Sequence, residues 1–351
     1  MSTAGVMQTS TSRVVSDSEL AIAVAETLAR DRNRPALIGL RWTPSRYATS
    51  HQLLEAQAEL ADGSTRGLML KRIDVTASGP SDPAARPAHI YDGLREALVY
   101  RTLLHEREPG APFFYGVVRV HGEAPGSWLL LDRIRGRELY QFEAIERWEE
   151  VGRWLAGFHS RGRSIVRYRV ACRAANLLEQ TPALLHSWLD RAARFAEMDG
   201  EMERKRVLER LRLPFRRAVE RALRLPATLI HGDFYPSNIL LVEGEETPTV
   251  HPVDWELAGH GPGLLDLAAL ISGDWSGPAP SRIAKAYHSA LPPEERPDPV
   301  TFTRALQSCR LIVAVQWLGW SPDWEPPPEH RTDWLTAAVD AAARLNATEL
   351  R

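Results

Sequence analysis

The apolar positions of the chain follow two different rhythms, one before and one after a short charged stretch at 132–137. Ahead of it, Ala36 to Trp42, Gln52 to Leu60 and Gly67 to Ile73 are apolar or alternating segments. Thr43-Pro44-Ser45 and Ala61-Asp62-Gly63-Ser64 punctuate them, so the pattern predicts three consecutive antiparallel strands. Tyr115 to Val120 and Trp128 to Leu131 predict two more. Between these groups, Asp92 to Arg107 places Leu94, Leu98, Tyr100, Leu103 and Leu104 at a mostly helical spacing. Asp74 to Pro87, rich in Gly, Pro and Ala, reads as a loop. A first helix is expected over Ala21 to Arg30, with Ser16 and Glu19 spaced as a capping box.

After the charged stretch the period becomes helical. Ala144 to His159 carries Ile145, Trp148, Val151, Trp154, Leu155 and Phe158 as one apolar stripe, the mark of a helix buried on one face. Leu177 to Leu225 is expected to be mainly helical, broken at Pro182 and Pro214. From Gly263 onward the chain again reads as helix, with proline-rich breaks at 278–280, 292–299 and 322–328. These rhythms predict a disordered tail over 1–17, a β-rich part over 18–132 and a mainly helical part over 133–351.

Composition narrows the class of protein. The 351 residues are 44% hydrophobic and 25% charged with a formal net charge of −2, so the basic excess of a nucleic-acid binder is missing. No apolar run approaches the ~20 residues of a membrane span. Cys172 and Cys309 are the only cysteines, which argues for a reducing cytoplasm over a disulfide framework. Lysine stands only at Lys71, Lys205 and Lys285, against 40 arginines. Lys205 and Lys285 sit in charged helical runs, whereas Lys71 ends the apolar strand Leu68-Met69-Leu70.

The chemistry concentrates in Leu229-Ile230-His231-Gly232-Asp233-Phe234-Tyr235-Pro236-Ser237-Asn238-Ile239-Leu240 and in Val253-Asp254-Trp255-Glu256. Apolar runs enter and leave a polar loop holding one aspartate and one asparagine, and a second aspartate closes the next run. Phosphoryl transfer needs this layout: a carboxylate for the acceptor hydroxyl, with an amide oxygen and another carboxylate for Mg²⁺. Each residue alone is ordinary turn chemistry. The ordered combination is specific.

The His-x-Asp-x4-Asn spacing resembles the catalytic loop of the aminoglycoside phosphotransferase and choline kinase-like family, small-molecule relatives of protein kinases. The resemblance runs over roughly residues 35–335 and implies a two-lobed, protein-kinase-like α+β fold with nucleotide between the lobes. It implies Asp233 as catalytic base, His231 as a prop of the loop, and Asn238 and Asp254 as Mg²⁺ ligands with Glu256 touching a second metal. Asp254 is followed by Trp-Glu where a protein kinase has Phe-Gly, which favours the small-molecule branch. Lys71 resembles the phosphate-contacting lysine, with Glu96 as its helix partner. The turn from Thr43 to His51 holds no glycine, and Ser50 takes the place of a phosphate-loop serine. Asp132, Arg133 and Ile134 resemble the interlobe hinge, whose backbone reads a purine without distinguishing ATP from GTP. Asp266 matches a position that ties a loop.

The implied activity is transfer of a γ-phosphoryl group from ATP or GTP to a hydroxyl of a small molecule, with Mg²⁺, in antibiotic resistance or biosynthesis. No nucleic-acid or membrane partner is expected, and the pattern leaves oligomeric state open. A metabolic kinase of choline, homoserine or fructosamine fits the same residues, as does a pseudokinase binding module. Trp317, Trp320, Trp324 and Trp334 crowd the C-terminal quarter and suit the wall of an acceptor site or a core. From 260 to 351 the net formal charge is −3, a weak attraction for a polycationic acceptor.

Overall fold

The computed structural model describes residues 13–14, 19–31, 33–47, 51–73, 90, 92–104, 108, 110–121, 125–167, 169–244, 248–275, 277–320 and 332–349. These residues fall into two compact units, one drawn from 1–79 and 105–135, the other from 80–104 and 136–351.

In the first unit α1 (Glu19–Leu28) packs on a sheet of β1 (Arg13–Val14), β2 (Leu37–Pro44), β3 (Leu53–Leu60), β4 (Thr65–Arg72), β5 (Phe114–Val120) and β6 (Gly126–Asp132). The order is β1-β2-β3-β4-β6-β5 and every neighbouring pair is antiparallel. Period-two burial sets the register: Leu54, Ala56, Ala58 and Leu60 of β3 face inward, between exposed or half-buried Glu55, Gln57 and Glu59. Leu68, Leu70, Val118 and Leu130 join Val24 and Leu28 of α1 in the core. The expected strands are present with ends shifted by one or two residues. The tail, apart from Arg13–Val14, and Ser16 of the expected cap lie outside the described residues.

The second unit begins with α2 (Arg95–Val99), which widens into a π-helical turn over Tyr100–Leu104. The pattern at 92–107 therefore yields a shorter helix of mixed type; 105–107 lie outside the described residues. The Thr102 hydroxyl donates to the Leu98 carbonyl at 2.7 Å, a side-chain bond that competes with the regular ladder.

β7 (Arg137–Glu138) joins a small antiparallel sheet with the hairpin β10 (Ile239–Val242) and β11 (Thr249–Pro252), in the order β11-β10-β7. β8 (Leu178–Glu179), β9 (Ala227–Ile230) and β12 (Gly259–Pro262) form another, with β12 central, parallel to β8 and antiparallel to β9. Around them stand α3 (Ile145–Val166), α4 (Arg169–Ala174), α5 (Pro182–Met198), α6 (Met202–Ala222), α7 (Leu264–Leu270), α8 (Ala279–Ala290), α9 (Pro299–Leu318) and α10 (Trp334–Glu349). α9 buries Leu311, Ile312, Val313, Ala314 and Val315 in succession, so it is a central helix rather than a surface one.

Of the two expected proline breaks, the first falls at a helix start and the second does not occur. Pro182 opens α5 at its first turn, where its fixed φ suits a helix start and the Thr181 hydroxyl caps Leu184 N–H at 3.2 Å. Pro214 lies within α6, which continues to Ala222. Burial of Leu211, Phe215, Ala218 and Val219 on both sides of Pro214 outweighs the missing backbone bond.

Candidate active site

The hairpin β10–β11 brings the two halves of the motif together. Ile239 pairs with Pro252, and the Asn238 carbonyl accepts from Val253 N–H at 2.9 Å, so Asp254 follows one residue beyond the contact. Asp254 itself has φ 67° and ψ 65°, a left-handed conformation uncommon for a residue with a Cβ. The turn after it, Trp255–Leu257, meets the 231–238 loop at Gly232. There φ is +83°, and a Cβ would overlap the Leu257 carbonyl oxygen, so only glycine lets the two backbones touch.

His231 is fully buried and its ring lies 4.4 Å from that of Trp255. Its Nε2 sits 2.9 Å from the Val253 carbonyl and its Nδ1 3.3 Å from Asp233 N–H. A carbonyl can only accept, so the proton belongs on Nε2 and Nδ1 receives the Asp233 amide. The imidazole thus ties the 231–238 loop to the segment bearing Asp254, with both nitrogens engaged in backbone bonds.

Asp233 is half-buried, and the Asn238 side-chain nitrogen donates to its Oδ2 at 2.8 Å and to its main-chain oxygen at 2.9 Å. Both partners are acceptors, which fixes the amide orientation and turns Asn238 Oδ1 away from Asp233. Tyr235, two residues on, is buried with its hydroxyl accepting from Trp317 Nε1–H. Burial and the nearby Asp233 charge push the Tyr235 phenol well above its ordinary pKa, against a smaller lowering from Trp317. Trp317 in turn stacks on Trp334 at 5.5 Å. Trp324 lies outside the described residues.

Asp266, on α7, holds the loop from below: Oδ2 accepts from His231 N–H at 2.8 Å and Oδ1 from Gly232 N–H at 3.0 Å. His159 on α3 adds Nε2 at 3.2 Å from Oδ2, while its Nδ1 meets the Tyr287 hydroxyl at 2.9 Å. His159 and Tyr287 carried no sequence signal beyond their place on apolar helical stripes.

Glu96, 3% exposed on α2, accepts Trp255 N–H through Oε1 at 3.2 Å. Its neighbour Arg95 was not singled out by sequence. The buried Arg95 guanidinium donates to the carbonyls of Ile90, Asn176 and Glu256 at 2.6, 2.8 and 2.9 Å. Burial lowers its pKa, opposed by the charges of Asp92 and Glu256. Glu256 therefore contributes a backbone acceptor and a carboxylate that acts on this cation.

In the first unit Lys71 is 8% exposed near the end of β4, in register with Leu53 and Leu129. Asp132 N–H and Arg133 N–H are taken within the same unit by Phe113 and Gly67 carbonyls, each at 2.9 Å. Asp132 also accepts from the Tyr115 hydroxyl, and Arg133 pairs with Glu55 at 2.5 Å. Ile134 is half-buried. Ser50 lies outside the described residues. Among the described residues no three His, Cys, Asp or Glu side chains gather into a metal site, and no helix is long and apolar enough to cross a membrane.

An antiparallel N-terminal sheet and a helical C-terminal part carrying its functional loops on short hairpins define a protein-kinase-like α+β fold. Solved structures share it. Plasmodium vivax ethanolamine kinase superposes with a TM-score of 0.57 at 13% identity, over 88% of this chain and 83% of that one. Choline kinase from Cryptosporidium parvum Iowa II gives 0.56 at 15% identity, over 89% of each chain. The GDP complex of an aminoglycoside 2'-phosphotransferase gives 0.55 at 12% identity, over 95% and 100%. No curated protein sequence matches the chain. The profile of the phosphotransferase enzyme family, APH, matches residues 68–300, and the chain belongs to that family of small-molecule kinases.

Proposed function

We propose that this protein transfers the γ-phosphoryl group of ATP or GTP to a hydroxyl of a small molecule, with Mg²⁺. The observation that carries the reading is the paired hydrogen bond from the Asn238 amide nitrogen to Asp233. It fixes the Asp233 carboxylate through Oδ2 and turns the Asn238 amide oxygen away from Asp233, so that a base and a cation ligand can be held within a single short loop.

The donor chemistry fits Mg²⁺. Asn238 Oδ1 and the Asp254 carboxylate are hard oxygen ligands, and Mg²⁺ is usually held by one or two carboxylates together with waters and substrate phosphates. Glu256 is a further carboxylate near them in sequence, shared with Arg95. When bound, the ion neutralises charge on the phosphates. The chain's own part is positioning. Asp233 accepts the hydroxyl proton and orients that oxygen for in-line attack on the γ-phosphorus, while the bond to the bridging oxygen of the nucleotide breaks. His231, occupied by Val253 and Asp233, keeps the base in place and moves no proton. Lys71 is assigned to the phosphates from the family resemblance.

On the acceptor side the reading favours a ring-bearing alcohol, because Tyr235 and the Trp317–Trp334 stack adjoin the catalytic loop. Sugars, amino alcohols and antibiotics all belong in the screen. Thermal unfolding against ATP and GTP, with and without Mg²⁺, tests the donor half. A ligand at about a hundred times its dissociation constant adds ~2.7 kcal/mol, a visible shift. A shift requiring Mg²⁺, followed by turnover of one acceptor, is the expected result. Failure of both nucleotides to shift the midpoint would overturn the kinase reading and favour a binding module.

A further inference from the structure

α2 grips the turn after Asp254 at two successive residues. Glu96 Oε1 takes Trp255 N–H at 3.2 Å, and Arg95 gives to the Glu256 carbonyl at 2.9 Å. The same guanidinium holds the Ile90 carbonyl, just ahead of α2, at 2.6 Å and the Asn176 carbonyl at 2.8 Å. Asn176 is itself left-handed, with φ 50°, and its side-chain amide donates to Asp92 Oδ2. Asp92 forms the turn that leads into the helix: its Oδ1 accepts Leu94 N–H at 2.9 Å and its carbonyl accepts Arg95 N–H at 3.0 Å. Asn176 leads directly into β8, which pairs with β12, the neighbour of β9 that delivers His231.

One buried cation therefore joins three backbone segments: the approach to α2, the α4–β8 connection and the turn carrying Asp254 and Glu256. The planar fork of arginine reaches three carbonyls at fixed angles, which an ammonium cannot do. The turn needs such a hold. Asp254 is in a strained backbone conformation, and residues in that state keep it only when their surroundings over-determine it. On its other side the restraint is the Val253 bonds to Asn238 and His231.

We propose that Arg95 is the positioning residue of the cation site. By fixing the Glu256 carbonyl against α2 it sets the direction of the Asp254 carboxylate and couples that direction to Glu96. The inference rests on the reading of Asp254 as a metal ligand. Arg95 touches no substrate; it acts through the turn.

The test is calorimetric titration of Mg²⁺ into the full chain with an ATP analogue whose γ-phosphoryl cannot be transferred, for wild type, Arg95→Met, Arg95→Lys and Asp254→Asn. Loss of a residue that orients a metal ligand typically costs about 10- to 100-fold in metal affinity. Arg95→Met is expected to raise the half-saturating Mg²⁺ concentration by that factor and leave metal-free analogue binding unchanged. Arg95→Lys should fall between Met and wild type. In the Asp254→Asn background, Arg95→Met should add no further weakening, because both changes act on one ligand. A lowered unfolding midpoint with unchanged Mg²⁺ dependence would reduce Arg95 to a structural brace and overturn the proposal. If Arg95→Met does not fold, Arg95→Lys decides, and wild-type Mg²⁺ dependence there overturns it. If the wild type binds the analogue without regard to Mg²⁺, the metal reading fails first and the proposal falls with it.

Discussion

The Asn238 side-chain nitrogen holds Asp233 twice, at the carboxylate Oδ2 and at the main-chain oxygen, 2.8 and 2.9 Å away. The residue read as a cation ligand is thus also the clamp of the residue read as the base. Asn238→Asp keeps an oxygen for a cation and loses the donor. It also sets a second carboxylate beside Asp233, which disfavours the ionised base. The expected outcome is a fall in kcat with the Mg²⁺ requirement retained, and an acid limb of the kcat/KM profile moved to higher pH. A pH–rate profile of the variant against wild type checks it.

Asp233→Asn separates chemistry from binding. The amide can still accept from Asn238, so the loop keeps its shape, but it cannot take the hydroxyl proton. General-base losses run about 10²–10⁴-fold. Turnover should fall by that much while nucleotide affinity, read from the shift of the unfolding midpoint, stays at the wild-type value. Turnover close to wild type would remove Asp233 from the mechanism.

The part of this arrangement legible in the sequence is the part written in local order. Alternation in β3 marks a strand because burial follows the pleat, and the continuous Leu129-Leu130-Leu131 run of β6 marks one buried on both faces. The spacing from His231 to Asn238 marks a loop because its internal bonds are local: Asp233 N–H to His231, Tyr235 N–H to Asp233, and Asn238 to Asp233 and Tyr235. What was not legible depends on contacts far apart along the chain. His159 meets Asp266 across 107 residues, and Arg95 meets Glu256 across 161. Nothing near Arg95 distinguishes it from the other arginines. Pro214 misled because the buried faces on either side of it, which only tertiary packing reveals, keep α6 continuous.

The contact between the two loops makes a stability prediction. Gly232→Ala must carry a side chain at φ +83° and push the Leu257 carbonyl away. The left-handed conformation alone costs roughly 1–2 kcal/mol for a non-glycine residue, and the backbone overlap adds to that. The midpoint should drop by several degrees, and Mg²⁺-dependent nucleotide binding should fall with it because Leu257 closes the Asp254 turn. Gly63→Ala serves as control: its φ is also +83°, but no atom lies within 4 Å of the added Cβ. Equal losses at the two sites would mean that the loop contact contributes nothing.

A pH effect follows from three buried acids outside the carboxylate range. Burial pushes the Cys309 thiol well above its ordinary 9.0. It pushes the Tyr287 phenol well above 10.0, an effect the Arg163 charge opposes and the negative charges around it reinforce. Tyr235 is raised in the same direction by burial and by Asp233. All three are neutral when protonated, and the native state holds their protons more tightly than the unfolded chain does. Unfolding therefore releases protons once pH exceeds the ordinary values, and stability falls as pH rises. The contribution is complete below pH 9 and declines from there upward, first through Cys309 and then through the two tyrosines. Unfolding midpoints measured from pH 8 to 11 should decrease with increasing slope. Cys309→Ala should flatten the first part of that fall and Tyr287→Phe the later part, each after allowance for its own loss of packing. A midpoint independent of pH across this range, or one that rises, would contradict the burial of these groups.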